Sequence, residues 1–336
     1  MFNSSNGYTF EYSMSPFIKS YKTENLLTLD NGDSISGTKD PSFRKSMLGT
    51  IGEGFERQIL FSTLVSDLKD EENKFTCINL YKKELEKKIL DSHTIKYFID
   101  TCGLATYTNS DTCLENSFCE FVERQSFIFS YLSKKKPRIV KKNNFFKEII
   151  PKKYQILDFF EISLVDSFRV FFAIGQIADD SICIGLGAGY TSEDALRKLL
   201  KEIISPNTHG DMLLKKDEHV DYIHIFNLLS LTQITEAYSY LKKTSIQFVP
   251  IKEEKKKMDI VLEDLNTRWG IQPLCLSLIS SNQDAIRYRY AKNFKVFDTN
   301  WFPSLSVITY DEKIYSNIEK RTGYSLSRKI NFIPFP

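Results

Sequence analysis

The sequence predicts a mixed α/β fold, with helices packed on mixed sheets, in a single domain over residues 1–336. Three observations predict it. Inward-facing residues recur at helical spacing at Leu48, Ile51, Phe55 and Ile59, and again at Leu114, Phe118, Phe121, Gln125 and Ile128, which lays one stripe along each of two helices. Runs such as Ser167 to Ile174, Ser181 to Gly185, Leu274 to Ile279, Phe294 to Asp298 and Ser304 to Thr309 have the length and apolar content of strands. Finally, Gly185-Leu186-Gly187-Ala188-Gly189 joins a strand-like run to a helical pattern from Ser192 to Ile204, and strands alternating with helices indicate a layered α/β arrangement.

Taken in order, the first 35 residues are turn-rich, with a strand-like piece at Tyr8 to Tyr12 and breaks at Ser15-Pro16 and Asn31-Gly32-Asp33. A helix is expected from Ser42 to about Leu68. The lysine-rich stretch from Leu80 to Leu90 reads as a solvated helix and Thr94 to Asp100 as a strand. Polar residues ending at Asn109-Ser110 can cap the next helix, from about Asp111 to Leu132. The basic loop 133–152, which opens Lys134-Lys135-Lys136-Pro137-Arg138, is the best candidate for an internal subdomain boundary; it reads as a solvated loop or as a surface for an anionic partner. The glycine-rich segment 185–189 lacks the Lys-Ser/Thr of a phosphate loop, so a structural turn is the simpler reading. A further helix is expected over Ile225 to Lys243, a charged surface loop at Lys252 to Lys257, and a strand at Asp259 to Leu262. The chain closes on Phe332-Ile333-Pro334-Phe335-Pro336, whose apolar side chains and two prolines suit a terminus inserted into a groove as well as a frayed end.

Composition excludes several function classes. Lys plus Arg number 45 against 43 Asp plus Glu, a net charge of +2, which gives no electrostatic footprint for nucleic acid or a membrane surface. The six cysteines include no Cys-x-x-Cys pair and have no histidines near them, which argues against a zinc site or a disulfide framework. No stretch has the length of a membrane span and no secretory signal opens the chain, so reduced thiols in a cytoplasmic protein are expected.

One six-residue word occurs twice. Glu53-Gly54-Phe55-Glu56-Arg57-Gln58 and Glu120-Phe121-Val122-Glu123-Arg124-Gln125 both read Glu-x-x-Glu-Arg-Gln. A single Glu-x-x-Glu-Arg arises by chance in roughly one chain of this length in fifteen, so the repetition carries the weight. Residues three apart on a helix are neighbours, so each word places two carboxylates on one face beside an arginine. Unit charges 4 Å apart near a surface repel by about 4 kcal/mol, so four converging glutamates would need a counter-ion. Magnesium with substrate phosphate oxygens meets that need, and carboxylate-held magnesium with arginines nearby is the equipment of phosphoryl transfer. A carboxylate-only metal site for hydrolysis, and two surface helices laced by local ion pairs, stay open on these grounds.

The two words in their setting, Gly52-Glu53-Gly54-Phe55-Glu56-Arg57 and Cys119-Glu120-Phe121-Val122-Glu123-Arg124, resemble the ATP and magnesium motifs of the YcaO family. Asp100-Thr101-Cys102-Gly103, Glu123-Arg124-Gln125-Ser126 and the terminal Pro334-Phe335-Pro336 are similar to the branch that supplies cyclodehydratase subunits to microcin B-type azole synthetases. The resemblance implies a YcaO-like fold with ATP held between two Glu-x-x-Glu helices. It implies ATP-driven formation of thiazoline or oxazoline rings from Cys, Ser or Thr of a ribosomally made precursor peptide. By matched position Glu53, Glu56, Glu120 and Glu123 would hold Mg²⁺, Arg57 and Arg124 would be charge partners, and Lys39 in Gly37-Thr38-Lys39-Asp40 would contact phosphate. The C-terminal proline, Pro336, would enter the active site. Expected partners are the precursor peptide, a leader-peptide-binding subunit and an FMN-dependent dehydrogenase subunit; a thioamide-forming enzyme and a non-catalytic scaffold subunit are the alternatives. The chain departs from the family pattern at Thr112, where a carboxylate is usual and Asp111 is adjacent, and at Cys275-Leu276, where a late strand arginine is expected.

Overall fold

The computed structural model describes residues 8–14, 19–29, 32–40, 42–67, 74–149, 156–176, 182–203, 229, 231–278, 292–303, 311–328, 330 and 333–335. These divide into two units, one formed by residues 1–121 and 271–299, the other by 122–270 and 300–336.

The first unit holds two antiparallel sheets. Strands β1 (Tyr8–Met14), β2 (Lys19–Leu29) and β3 (Gly32–Asp40) form a meander in that order, where the sequence shows mostly turn residues. The Gly37 to Asp40 segment that carries Lys39 is the end of β3, and Lys39 pairs in register with Lys22. Helix α1 (Phe43–Asp67) packs on β2 and β3 and on β6 of the second sheet. Among the described residues its buried positions are Ser46, Thr50, Gly54 and Ile59; of the expected inward stripe Ile59 is buried, Ile51 and Phe55 are half-buried and Leu48 is 57 % exposed. Small residues four apart let the first part of the helix approach its neighbours closely.

The second sheet has the order β5-β4-β12-β13-β6. Strands β4 (Lys74–Asn79) and β5 (Glu84–Ile89) form a hairpin where a helix over Leu80 to Leu90 is expected. Asn79 decides this locally: its side-chain oxygen accepts the Tyr81 and Lys82 amides at 3.1 and 2.9 Å, and Lys83 closes the turn at φ +60°. The expected strand near Thr94 is a 3-10 helix, Thr94–Phe98, whose first turn is held by the Asp91 carboxylate accepting the Thr94 amide at 2.7 Å. Strands β6 (Leu104–Tyr107), β12 (Leu274–Ser277) and β13 (Lys292–Phe297) complete the sheet. Helix α2 (Ser110–Ser133) starts with Asn109 accepting the Thr112 amide, and the boundary between the units falls within it.

The second unit is built on the sheet β10-β9-β8-β7-β11, antiparallel except for β7 with β11. The basic stretch 133–152 lies inside this unit and contains strand β7 (Arg138–Val140) and helix α3 (Asn144–Ile149) in place of a loop. Strands β8 (Ile156–Glu161) and β9 (Arg169–Gln176) precede β10 (Ile182–Gly189), which absorbs the whole glycine-rich segment. Gly187 and Gly189 face helix α4 (Ser192–Ile203): a Cβ on Gly187 would meet Leu199 Cα at 2.6 Å, and one on Gly189 would meet the Asp194 Cβ at 2.7 Å. The glycines therefore serve close helix-on-strand packing rather than a turn. Thr191 caps α4 by accepting the Asp194 amide, and Glu253 from the charged run 252–257 accepts the Ser192 amide and hydroxyl at 2.7 and 2.6 Å. Arg169 also reaches Glu253, at 2.6 Å. That run is thus an anchor for the α4 N-terminus and not simply solvated.

Of the helix expected over Ile225 to Lys243, the described part comprises α5 (Leu231–Ala237) and a 3-10 turn, Ser239–Lys243, followed by β11 (Gln247–Phe248). The strand expected at Asp259 is the start of helix α6 (Met258–Trp269), which ends on Gly270 in the left-handed region (φ +65°). Helix α7 (Glu312–Thr322) starts at the Asp311 cap and ends on Gly323. The run Ser304 to Thr309 lies outside the described residues.

Candidate functional site

In the first unit the carboxylates of the first word sit half-buried on α1. Glu56 accepts the backbone N–H of Thr106 at 2.7 Å. Strand β6 is the edge of its sheet, so Glu56 satisfies an amide that no further strand would reach. Thr106 in turn donates its hydroxyl to Asn293 at 2.6 Å. The first half of α2 is fastened to the same sheet: the Cys113 thiol lies 3.0 Å from the Ala105 carbonyl and 3.1 Å from that of Lys292, and Ser117 reaches the carbonyls of Gly103 and Phe294. Burial pushes the Cys113 thiol up to about 11, removing it from thiolate chemistry at neutral pH. The buried ammonium of Lys295 donates to the carbonyls of Asp100 and Cys102, fixing the loop that leads into β6. These contacts position Glu120, half-buried one turn beyond Ser117.

In the second unit Glu123 is the buried member of the set, 7 % exposed. Desolvation raises its pKa, opposed by Arg124, by Lys198 on α4 and by the Ala188 amide of β10. Arg124 Nε lies 3.8 Å from the Glu123 carboxylate, and its guanidinium stands 5.2 Å above the ring of Phe335. The chain end is docked here. Ile333 and Phe335 are buried, Phe335 lies 4.9 Å from the ring of Phe127, and the Tyr238 hydroxyl donates to the Pro334 carbonyl. The groove-inserted reading of the tail therefore holds for residues 333–335, and the frayed one does not. Gln125 clamps a neighbouring segment: its amide nitrogen donates to the Phe302 carbonyl at 2.9 Å and its oxygen accepts the Phe302 amide at 3.1 Å. The glutamine of the repeated word is structural in this copy.

Glu53, Glu56 and Glu120 belong to the first unit, Glu123 and Arg124 to the second. Of Lys39 and Arg57 the backbone alone is described, and Pro336 lies outside the described residues. Among the described residues no three His, Cys, Asp or Glu side chains group closely enough to hold a metal ion. Sequence reasoning missed Lys198 and Tyr238, which carry no motif; only the packing of α4 and the tail reveals them. No described helix is long and apolar enough to cross a membrane.

No protein-family model matches the chain, and no curated protein matches it. Solved structures do. YcaO from Methanopyrus kandleri bound with AMPPCP and Mg²⁺ aligns with a TM-score of 0.66 at 13 % identity, covering 91 % of this chain and 90 % of that one. A chain of the E. coli microcin synthetase McbBCD complex aligns with a TM-score of 0.66 at 16 % identity, covering 98 % and 96 %. A heterocyclase in complex with substrate and cofactor aligns at 0.59 and 12 % identity, covering 88 % of this chain and 49 % of its own.

Proposed function

We propose that this chain, which has the YcaO fold, is an ATP- and Mg²⁺-dependent cyclodehydratase that forms thiazoline or oxazoline rings from Cys, Ser or Thr of a ribosomally made precursor peptide. The observation that carries the reading is the setting of the second word: a buried carboxylate, Glu123, with Arg124 3.8 Å away and the C-terminal tail docked against that same arginine. A buried glutamate with a raised pKa is an unfavourable structural element, and such groups concentrate at functional sites.

The residues present fit a magnesium nucleotide better than a bare metal ion. Mg²⁺ takes one or two carboxylates and completes its shell with water and substrate phosphates, so it does not require the protein carboxylates to cluster. Glu53, Glu56, Glu120 and Glu123 are assigned to Mg²⁺ by their sequence match, with Arg57, Arg124 and Lys39 assigned to the phosphates. Bound MgATP supplies the phosphoryl group that makes the peptide amide oxygen a leaving group. Arg124 lowers the cost of negative charge on Glu123, and the field of Lys198 on α4 acts in the same direction. Tyr238 and Phe127 hold the tail at Pro334 and Phe335, and Pro336 is assigned to the substrate side by its sequence match. The proposed partners are the precursor peptide, a leader-peptide-binding subunit and an FMN-dependent dehydrogenase, in the cytoplasm.

The test combines purified chain, leader-binding subunit and precursor peptide. Expected are phosphate release from ATP and loss of one water mass per ring, both abolished by Glu53→Gln or Glu123→Gln with the complex still assembled. The departures from the family pattern at Thr112 and at Cys275-Leu276 favour one competing reading, a non-catalytic scaffold subunit. An intact complex with unchanged peptide mass would establish that reading instead.

A further inference from the structure

A cavity of about 660 Å³ opens in the second unit, where α2 ends and β7, β8 and α6 meet. Its size is that of a small-ligand pocket. It is walled by the run Lys134 to Arg138 and by Arg268, against two carboxylates, Glu161 and Asp166. This is the basic run that the proposed reaction leaves unused. Ser133, the last residue of α2, lies ten residues beyond Glu123, about 15 Å along the helix, and the cavity wall includes none of Glu123, Arg124, Phe127, Tyr238 or Phe335, so the cavity is separate from the Glu123 setting.

The charges are unevenly matched. Asp166 is 59 % exposed, yet three guanidinium groups converge on it: Arg138 at 3.2 Å, Arg268 at 3.4 Å and Arg169 at 3.7 Å. Burial pushes the Asp166 carboxyl up, but these guanidinium groups outweigh it and hold its pKa below the ordinary value. Arg138 is also tied to buried Glu161 at 2.7 Å. Lys135 has no carboxylate within ion-pair distance among the described residues; its ammonium instead stands 5.1 Å from the Trp269 ring and 5.8 Å from that of Tyr324. Lys134 takes a left-handed backbone (φ +51°), a position that favours glycine, and so turns the run out of α2 into the cavity wall. Charge compensation of the α2 C-terminus does not account for the group, because Arg268 comes from α6 and Arg138 from β7.

The geometry points to an oxyanion site of phosphate chemistry in this cavity, with Lys135, Arg138 and Arg268 as the binding groups. Asp166, a singly charged carboxylate shared by three guanidinium groups, stands in for the ligand. A multiply charged oxyanion has the acceptor oxygens to engage the guanidinium forks and the Lys135 ammonium together, which one carboxylate lacks.

The site carries its own reporter. The chain has 2 tryptophans, and Trp269 and Trp301 lie 6.4 Å apart with Trp269 in the cavity wall. Tryptophan emission of the full chain is titrated with inorganic pyrophosphate at constant ionic strength, without nucleotide or magnesium. A saturable change is expected, weakened at least about tenfold by Lys135→Met or Arg268→Gln and retained in large part by Lys135→Arg. Lys135→Met keeps the stem that covers Trp269, so loss of binding in that variant is not loss of packing. A response that never saturates, or wild-type affinity in both charge-removing variants, would each overturn the assignment. The readout needs no turnover, so it stands or falls independently of the cyclodehydratase reading.

Discussion

Replacing Phe335 by alanine should release the C-terminal tail while leaving the second unit folded. Phe335 is 5 % exposed, 4.9 Å from Phe127 and covered by Arg124 at 5.2 Å. Burying a phenylalanine contributes about 1.5–3 kcal/mol, the ring pair about 0.5–1.5 and the cation–π contact about 0.5–1. Ordering the tail opposes these terms, and a net loss of about 3 kcal/mol lowers the docked population relative to the undocked by roughly a hundredfold. Tyr238→Phe is a second route to the same state: it strands the Pro334 carbonyl in a buried setting, at about 1–3 kcal/mol. Hydrogen exchange read by mass spectrometry on the C-terminal peptide reports the docking directly, and ring formation on the precursor peptide reports its consequence. Both variants should exchange the tail faster and lose turnover together. Wild-type protection of the tail in Phe335→Ala would refute the packing argument; normal turnover with a released tail would refute the catalytic role assigned to the chain end.

Glu56→Ala should cost about 1–3 kcal/mol in urea unfolding by leaving the Thr106 amide without its acceptor, whereas Glu56→Gln, which keeps a carbonyl oxygen there, should cost less than about 0.5 kcal/mol. Both should abolish phosphate release, so equal stability losses, or activity in either variant, would contradict the dual role. The pKa of Glu123 is raised in the folded state, so the fold binds its proton more tightly than the unfolded chain does. Stability should therefore fall as pH rises from the unfolded value, about 4.3, up to the folded one, and level off above it. Glu123→Gln should remove that slope and melt no lower than wild type at neutral pH; an unchanged melting profile against pH would show that Glu123 does not carry it.

The long helices were legible because their signals are local. The periodic residues of α1, α2 and α4 and the caps at Asn109 and Thr191 act within a few residues of one another, and the structure returns those helices nearly residue for residue. Misreadings occurred where short segments satisfy two periods at once. The lysine-rich run from Leu80 to Leu90 suits a solvated helix, but the Asn79 side chain closes a turn and commits the segment to a hairpin. Ile260-Val261-Leu262 suits a strand, yet Gly270 at the left-handed cap and the apolar residues Val261, Leu262, Leu265 and Trp269 belong to a helix.

The sequence by itself determined the repeated Glu-x-x-Glu-Arg-Gln, the helices that carry it and the apolar character of the tail, since each depends on neighbouring residue types alone. Only the tertiary structure decided what those groups meet. It buried Glu123 beside Arg124, turned Gln125 into a clamp on Phe302, gave Glu56 an edge-strand amide to hold, and seated Phe335 against Phe127. Those outcomes arise from partners far apart in the chain, and desolvation, which sets the state of a buried carboxylate, depends on what packs around it and not on its neighbours in sequence.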